Sequence, residues 1–405
     1  MSTVGGSRKK NKTVQDLTTQ TALIIAVAYA CIAVGMNALV WHDSLLKEAT
    51  YLNIFDAKGY HALGHQIWTD DKIDGDRLAQ RGYLFSSVAY ALISVHPIVL
   101  FAGQVMAIAV GVWALVHVEY RMTGWIRLSL LLLLVPSLWL APSHMMTESI
   151  SFACASTGFL LLLTRHGAWA AVVLWAGALV KPALLLGAMV SLVVTIRCRL
   201  ILPLVVVTAF LMPQFILTSR HSDGITLSTA GAANFAERFH PAAMGVASTG
   251  NIVRYRDPAA EVFRNAAPKL SYKIADIIGH PVATAKTWVQ ILVVDHLWQS
   301  SGFLARNIAG LNWTLAGPIR TWSLWVNVGL ALLIPFAVVG IVEYLRSVPY
   351  FRWPAAFMGP SILLLAPLVY WQGDRIVFIG LFLLMPFASL AIRRIVRPFP
   401  IRPIA

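Results

Sequence analysis

The chain has 405 residues, 58% of them hydrophobic and 12% charged, with a mean hydropathy of +0.70. Water-soluble domains carry about 25% charged residues, so an ordinary soluble enzyme is excluded, and 14 Trp, 18 Phe and 11 Tyr exclude a disordered chain. A formal net charge of +14 would suggest nucleic acid in a soluble protein, but in a polytopic membrane protein it marks Lys and Arg at cytoplasmic loop ends.

Residues 1–20 form a basic tail with Arg8, Lys9, Lys10 and Lys12, followed by an apolar run from Thr21 to Trp41. The run is long enough to span a bilayer. No small-residue cleavage site follows it closely, so it reads as a retained signal-anchor, with the N-terminus cytoplasmic and residues 42–82 exported. That exported loop is the one net-acidic stretch of any length, with Asp43, Glu48, Asp56, Asp70, Asp71, Asp74 and Asp76 against Lys47, Lys58, Lys72, Arg77 and Arg81.

Apolar runs continue at 83–95, 97–118, 127–141, 148–164, 168–180, 182–196 and 200–218, and resume at 323–345, 353–371 and 376–392. Positive-inside counting puts the Arg121/Arg127, Arg165, Arg197/Arg199 and Arg346/Arg352 turns and the basic tail 393–405 in the cytoplasm. Alternation then requires an odd number of crossings between 83 and 118, so one of the two runs there is expected to be short or half-buried. The expected fold is an all-α polytopic membrane protein with about 10 or 11 transmembrane helices and juxtamembrane helices in its extracytoplasmic loops.

The expected organisation is an N-terminal transmembrane module over 21–218, an extracytoplasmic or interfacial region over 219–322, and C-terminal transmembrane helices over 323–392. Within the middle region, Pro258 to Ile278 has the spacing of an amphipathic surface helix. Residues 282–305 are apolar but interrupted by Asp295 and His296, as in an interfacial segment. Cys31, Cys154 and Cys198 lie singly, so no disulfide framework or zinc site is readable.

Candidate chemistry gathers on the exported side. Asp56 and Tyr60, in the segment Phe55 to His65, are four apart and share one face if the segment is helical. A carboxylate just outside a membrane can accept a proton from an incoming hydroxyl; the alternative is a solvated carboxylate at a helix start. Glu148 opens an apolar run, where an ionisable group is either functional or paired, or serves the helix dipole behind a Thr147 N-cap. Lys181 before Pro182, Arg375 at the last run and Arg81 at the second apolar region are cations suited to phosphate. The alternative for each is snorkelling towards head groups, and that alternative is stronger for Arg81 than for Lys181. Asp74-Gly75-Asp76 has a D-x-D spacing of the kind that holds Mg²⁺ or Mn²⁺. Three residues specify little, so a divalent cation is an optional cofactor and no metal ligand is assigned.

In this order the fragments resemble the GT-C superfamily of membrane glycosyltransferases, in the branch of dolichyl-phosphate-mannose-protein mannosyltransferases and bacterial aminoarabinose and lipopolysaccharide sugar transferases. Asp56 and Tyr60, Arg81-Gly82-Tyr83-Leu84, His96-Pro97 with Gln104, Thr147-Glu148, Lys181-Pro182 and Gly373-Asp374-Arg375 with Pro386 carry the likeness. It covers mainly residues 20–200 and 370–390. The resemblance implies an inverting transfer from a polyprenyl-phosphate sugar to a lipid, glycan or protein acceptor at the outer face; a bacterial cell membrane is expected from the chain's compactness and its lack of an endoplasmic-reticulum retention signal. It implies Asp56 as general base, Lys181 and Arg375 facing the departing phosphate, and Tyr60, His65 and Glu148 around the sugar. No nucleic-acid partner is expected. The rival classes are a lipid or polysaccharide transporter or flippase, which predicts inverted repeats and mid-membrane charges, and a surface-polysaccharide ligase or polymerase using Arg254, Arg256 and His240.

Overall fold

Why the chain turns where it does is set largely by its prolines, glycines and buried polar groups. In a computed structural model, the described residues are 4–52, 55–69, 72–164, 166–197, 201–222, 281–290, 313–349, 352–365 and 374–396, with the single residues Ile225 and Leu292. Among these there is no strand. The helices are α1 (Val4–Trp41), α2 (Glu48–Tyr51), α3 (Phe55–Thr69), α4 (Gly75–Arg81), α5 (Tyr83–Val95), α6 (Pro97–Thr123), α7 (Pro136–Leu140) and α8 (Glu148–Leu163). They continue as α9 (Gly167–Val180), α10 (Leu185–Arg197), α11 (Ile201–His221), α12 (Pro281–Gln290), α13 (Trp313–Leu332), α14 (Ile334–Ser347), α15 (Pro354–Leu365) and α16 (Asp374–Val396). The chain is all-α, and the basic tail is the beginning of α1 rather than a separate segment.

Five stretches are long and apolar enough to cross a membrane: Thr19–Trp41, Pro97–Thr123, Ile201–His221, Gly317–Ser347 and Phe378–Val396. Shorter apolar helices are Tyr83–Val95, Glu148–Leu163, Trp169–Val180, Pro182–Val193 and Pro354–Leu365. The expectation of about 10 or 11 spans is thus revised, among the described residues, to five stretches of spanning length and a set of shorter apolar helices. The ambiguity between 83 and 118 is resolved as well. At 13 residues, α5 extends about 20 Å, short of the ~30 Å hydrocarbon core, whereas α6 has 27 residues and is the long helix of the two.

The apolar run 127–141 is a second correction. Residues Leu128–Leu134 form a 3-10 segment, followed by the one-turn α7 and a further 3-10 turn, Ala141–Ser143. Hydropathy registers composition and misses the cause. Pro136 and Pro142 interrupt the backbone hydrogen-bond ladder, and the fully buried Glu119 carboxylate captures the amides that would open a helix. Its oxygens accept from the backbone N–H groups of Arg127, Leu128 and Ser129 at 3.2, 2.9 and 2.8 Å, and from the hydroxyls of Ser129 and Ser389.

Prolines place the other bends. Pro182 disfavours the helical region for its predecessor, and Lys181 accordingly lies extended at φ −143°, ψ 108° at the end of α9. Pro97 does the same to His96, whose Nδ1 then accepts from the Ile98 amide at 3.2 Å and starts α6. One apolar core joins α1, α6, α8, α9 and α16, with Phe159 stacked on Phe387 at 5.6 Å. A second, over α3, α5 and the first half of α6, joins Tyr51, Ala57, Phe85, Phe101, Met145 and Val180.

The two ends of the bundle differ in chemistry. At one end, the Trp41 ring meets His144 edge-on at 5.3 Å, and Gln104 donates to the His144 carbonyl at 2.6 Å. About 30 Å further along α6, its last turn reaches Arg393 of α16, while Arg394 pairs with Glu343. The first end carries α3, α4 and α5; the second gathers arginines.

Candidate functional site

The segment 42–82 is not an open loop. It folds as a layer of short helices against α5 and the end of α11. Asp74 N-caps α4, accepting from the Arg77 amide at 3.1 Å and pairing with the Arg77 Nε at 3.1 Å. The D-x-D motif therefore serves as a helix cap with its own cation. Among the described residues no group of three or more metal-ligating side chains converges.

Asp56 and Tyr60 lie on α3 one turn apart, as their spacing predicts, and Arg81 closes the group from the end of α4. The Arg81 Nη2 is 3.5 Å from the Asp56 Oδ1, and its guanidinium stands 5.7 Å from the centre of the Tyr60 ring. Tyr60 in turn packs edge-on against Phe85 at 5.0 Å. The Asp56 side chain is 32% exposed and that of Arg81 12%, so the carboxylate can be reached from solvent while the cation is largely enclosed.

Two glycines make this arrangement possible. The Arg81 guanidinium lies directly on α3 at Gly59, where a Cβ would stand 2.4 Å from the Arg81 Nε and 2.6 Å from its Cζ. Gly82 follows at φ +71°, in the region that favours glycine, and a Cβ there would come within 2.7 Å of the Leu179 carbonyl oxygen. That contact brings Arg81 to the end of α9, two residues before Lys181. Gln214 of α11 secures the same junction, accepting from the Tyr83 amide at 3.0 Å and donating to the Leu78 carbonyl at 3.4 Å.

Lys181 and Glu148 meet each other. Lys181 Nζ is 3.3 Å from the Glu148 Oε1, with side-chain exposures of only 7% and 3%. Glu148 is the first residue of α8; Thr147 holds the preceding position, yet its hydroxyl makes no capping bond. The pair ties the start of α8 to the end of α9, behind the layer that carries Asp56.

The structure does not bring every expected residue to this group. His65 lies nine positions beyond Asp56, about 13 Å along α3, exposed beside Thr69 and edge-on to Tyr90 at 5.6 Å. Its neighbour His61 pairs with Glu48 at 3.2 Å. Burial holds the His61 imidazole below its usual range, with Glu48 opposing that shift and His65 adding to it. Arg375 is in the first turn of α16, and its side chain falls outside the described residues, as do Arg165, Arg254, Arg256, His240, Pro258 to Ile278 and most of 282–305.

Three polar groups went unanticipated: Glu119, Gln214, and Glu48 beside His61. For the first two the readable signal was an amide or carboxylate within an otherwise apolar helix, which is costly unless satisfied. Comparison with protein-family models, with curated proteins and with solved structures gives no match in any of the three.

Proposed function

We propose that the chain is a GT-C-type glycosyltransferase that moves a sugar from a polyprenyl-phosphate donor to a hydroxyl acceptor at the outer face of a membrane. One observation carries this reading: the reachable Asp56 carboxylate on α3, with the mostly enclosed Arg81 guanidinium at 3.5 Å and Tyr60 beneath. The group sits at the bundle end opposite the arginine-rich one. The positive-inside rule makes that second end cytoplasmic and puts Asp56 on the outer side.

In this mechanism the acceptor hydroxyl attacks the anomeric carbon while Asp56 takes its proton. The bond from the anomeric carbon to the phosphate oxygen breaks, and the polyprenyl phosphate leaves with one more negative charge. Arg81 is placed to meet that charge, since a guanidinium binds phosphate through two parallel hydrogen bonds. Tyr60 supports the guanidinium and offers an apolar face to the sugar. Lys181 and Glu148 act as positioning residues: being buried against one another, they hold the junction on which Arg81 rests.

The direct test incubates the purified full chain with radiolabelled polyprenyl-phosphate sugars and membrane extract as acceptor source. Transfer of label from at least one donor supports the reading, and no transfer from a panel of hexosyl and pentosyl donors counts against it. A variant sharpens the role of Arg81. Gly59→Ala should raise the helix propensity of α3 by up to about 1 kcal/mol, yet its Cβ must push the guanidinium away from Asp56. The expected result is unchanged or higher thermal stability with transfer reduced roughly tenfold or more, the worth of one charged hydrogen bond. Full transfer by this variant would remove Arg81 from the mechanism.

A further inference from the structure

At the arginine-rich end, Glu119 does more than shape the 3-10 segment. By taking the amides of Arg127, Leu128 and Ser129, and the hydroxyl of Ser389 one turn before Arg393, it fixes two chain segments side by side. The outcome is two guanidinium groups around one indole. The Arg127 Cζ lies 4.4 Å and the Arg393 Cζ 5.7 Å from the centre of the Trp125 ring. Trp125 is itself held by its amide, which donates to the Thr123 hydroxyl at 3.0 Å.

Neither guanidinium has a carboxylate partner among the described residues. The Glu119 oxygens are taken up by backbone and serine donors, and Glu343 is taken by Arg394. The indole face attracts each guanidinium, the two like charges still repel one another, and an anion between them would relieve that repulsion; arginine forks match phosphate oxygens. Trp125 lies two residues past the end of α6, after the Gly124 cap, and Arg393 lies in the last turn of α16. Both are ends of long apolar helices, where tryptophan marks the lipid–water boundary.

We infer that Trp125, Arg127 and Arg393 form a binding site for the phosphate of an anionic membrane lipid. The site is separate from the Asp56 group, at the opposite end of α6. Basic pockets between helices on the cytoplasmic side are suited to such head groups, and here the helix-end position selects a lipid phosphate over a free one.

The test measures lipid retained by the full chain in native mass spectrometry, titrated with phosphatidylglycerol, phosphatidylcholine or inorganic phosphate. Wild type should bind phosphatidylglycerol at least tenfold more tightly than phosphatidylcholine, with inorganic phosphate at millimolar level competing weakly. The Arg127→Gln/Arg393→Gln double variant should lose about thirtyfold in affinity for phosphatidylglycerol, while Arg220→Gln, on α11 at the other end, should be unchanged. Equal affinity of wild type for the two lipids overturns the proposal whether or not the double variant folds. Strong competition by inorganic phosphate assigns the site to a soluble anion and overturns the lipid assignment. Unaltered binding by a folded double variant overturns the residues named.

Discussion

Lys181→Met is expected to destabilise the protein by about 3–5 kcal/mol, because it removes the ammonium 3.3 Å from the buried Glu148 carboxylate. Breaking a buried pair from one side differs from removing it. The Lys181→Met/Glu148→Leu double variant replaces both charges by apolar groups of similar volume and should recover most of the loss. Thermal unfolding in a fixed detergent reads both values, and the interaction term of the cycle separates pairing from packing. The same cycle decides what Lys181 does. With side-chain exposures of 7% and 3%, the pair is placed to hold α8 and α9 together, so the recovered double variant should retain transfer within about tenfold of wild type. A stable double variant without transfer would return Lys181 to the departing phosphate.

The second large effect belongs to Glu119→Ala. Glu119 is fully buried and satisfies three amides and two hydroxyls, linking α6, the 3-10 segment and α16. Its loss leaves those donors buried without acceptors, at about 1–3 kcal/mol for each one that water cannot reach. A total of roughly 3–5 kcal/mol is expected, a large fraction of the about 5–15 kcal/mol by which folded proteins are stable. Glu119→Gln should fall between, because an amide offers one acceptor oxygen where the carboxylate offered two. Size-exclusion profiles and melting temperatures of the three proteins rank them. Equal stability of Glu119→Ala and wild type would mean that the 3-10 segment holds its shape without this carboxylate.

How far these features were legible in the sequence depended on whether their causes are local. The Asp56–Tyr60 relation follows from helical spacing, and α3 realises it. The bend at Lys181 follows from Pro182, and the start of α6 from Pro97. Partners distant in sequence were not legible. Snorkelling explains Arg81 more readily than Lys181 on sequence alone, yet Arg81 reaches Asp56 across 25 positions because Gly59 leaves room for it and Gly82 turns the chain. Lys181 and Glu148, 33 positions apart, were read as two separate contributors to a substrate pocket, and the structure pairs them. The run 127–141 has the composition of a span, but a buried carboxylate eight to ten residues earlier dictates its backbone. No window of hydropathy contains that information. The helical layer of 42–82 was likewise hidden, because its stability comes from packing on α5 and α11 rather than from its own pattern.

The central claim is that Asp56 is the general base of a sugar transfer, and the Asp56→Asn variant tests it most directly. Asparagine keeps the size of the side chain and can still bond to Arg81, but it cannot accept the acceptor proton at neutral pH. The measurement is the initial rate of transfer from whichever radiolabelled polyprenyl-phosphate sugar wild type uses, with wild type and variant matched for melting temperature. A fall of about 10² to 10⁴-fold is expected, the usual contribution of a general base. Transfer by Asp56→Asn at the wild-type rate would contradict the account.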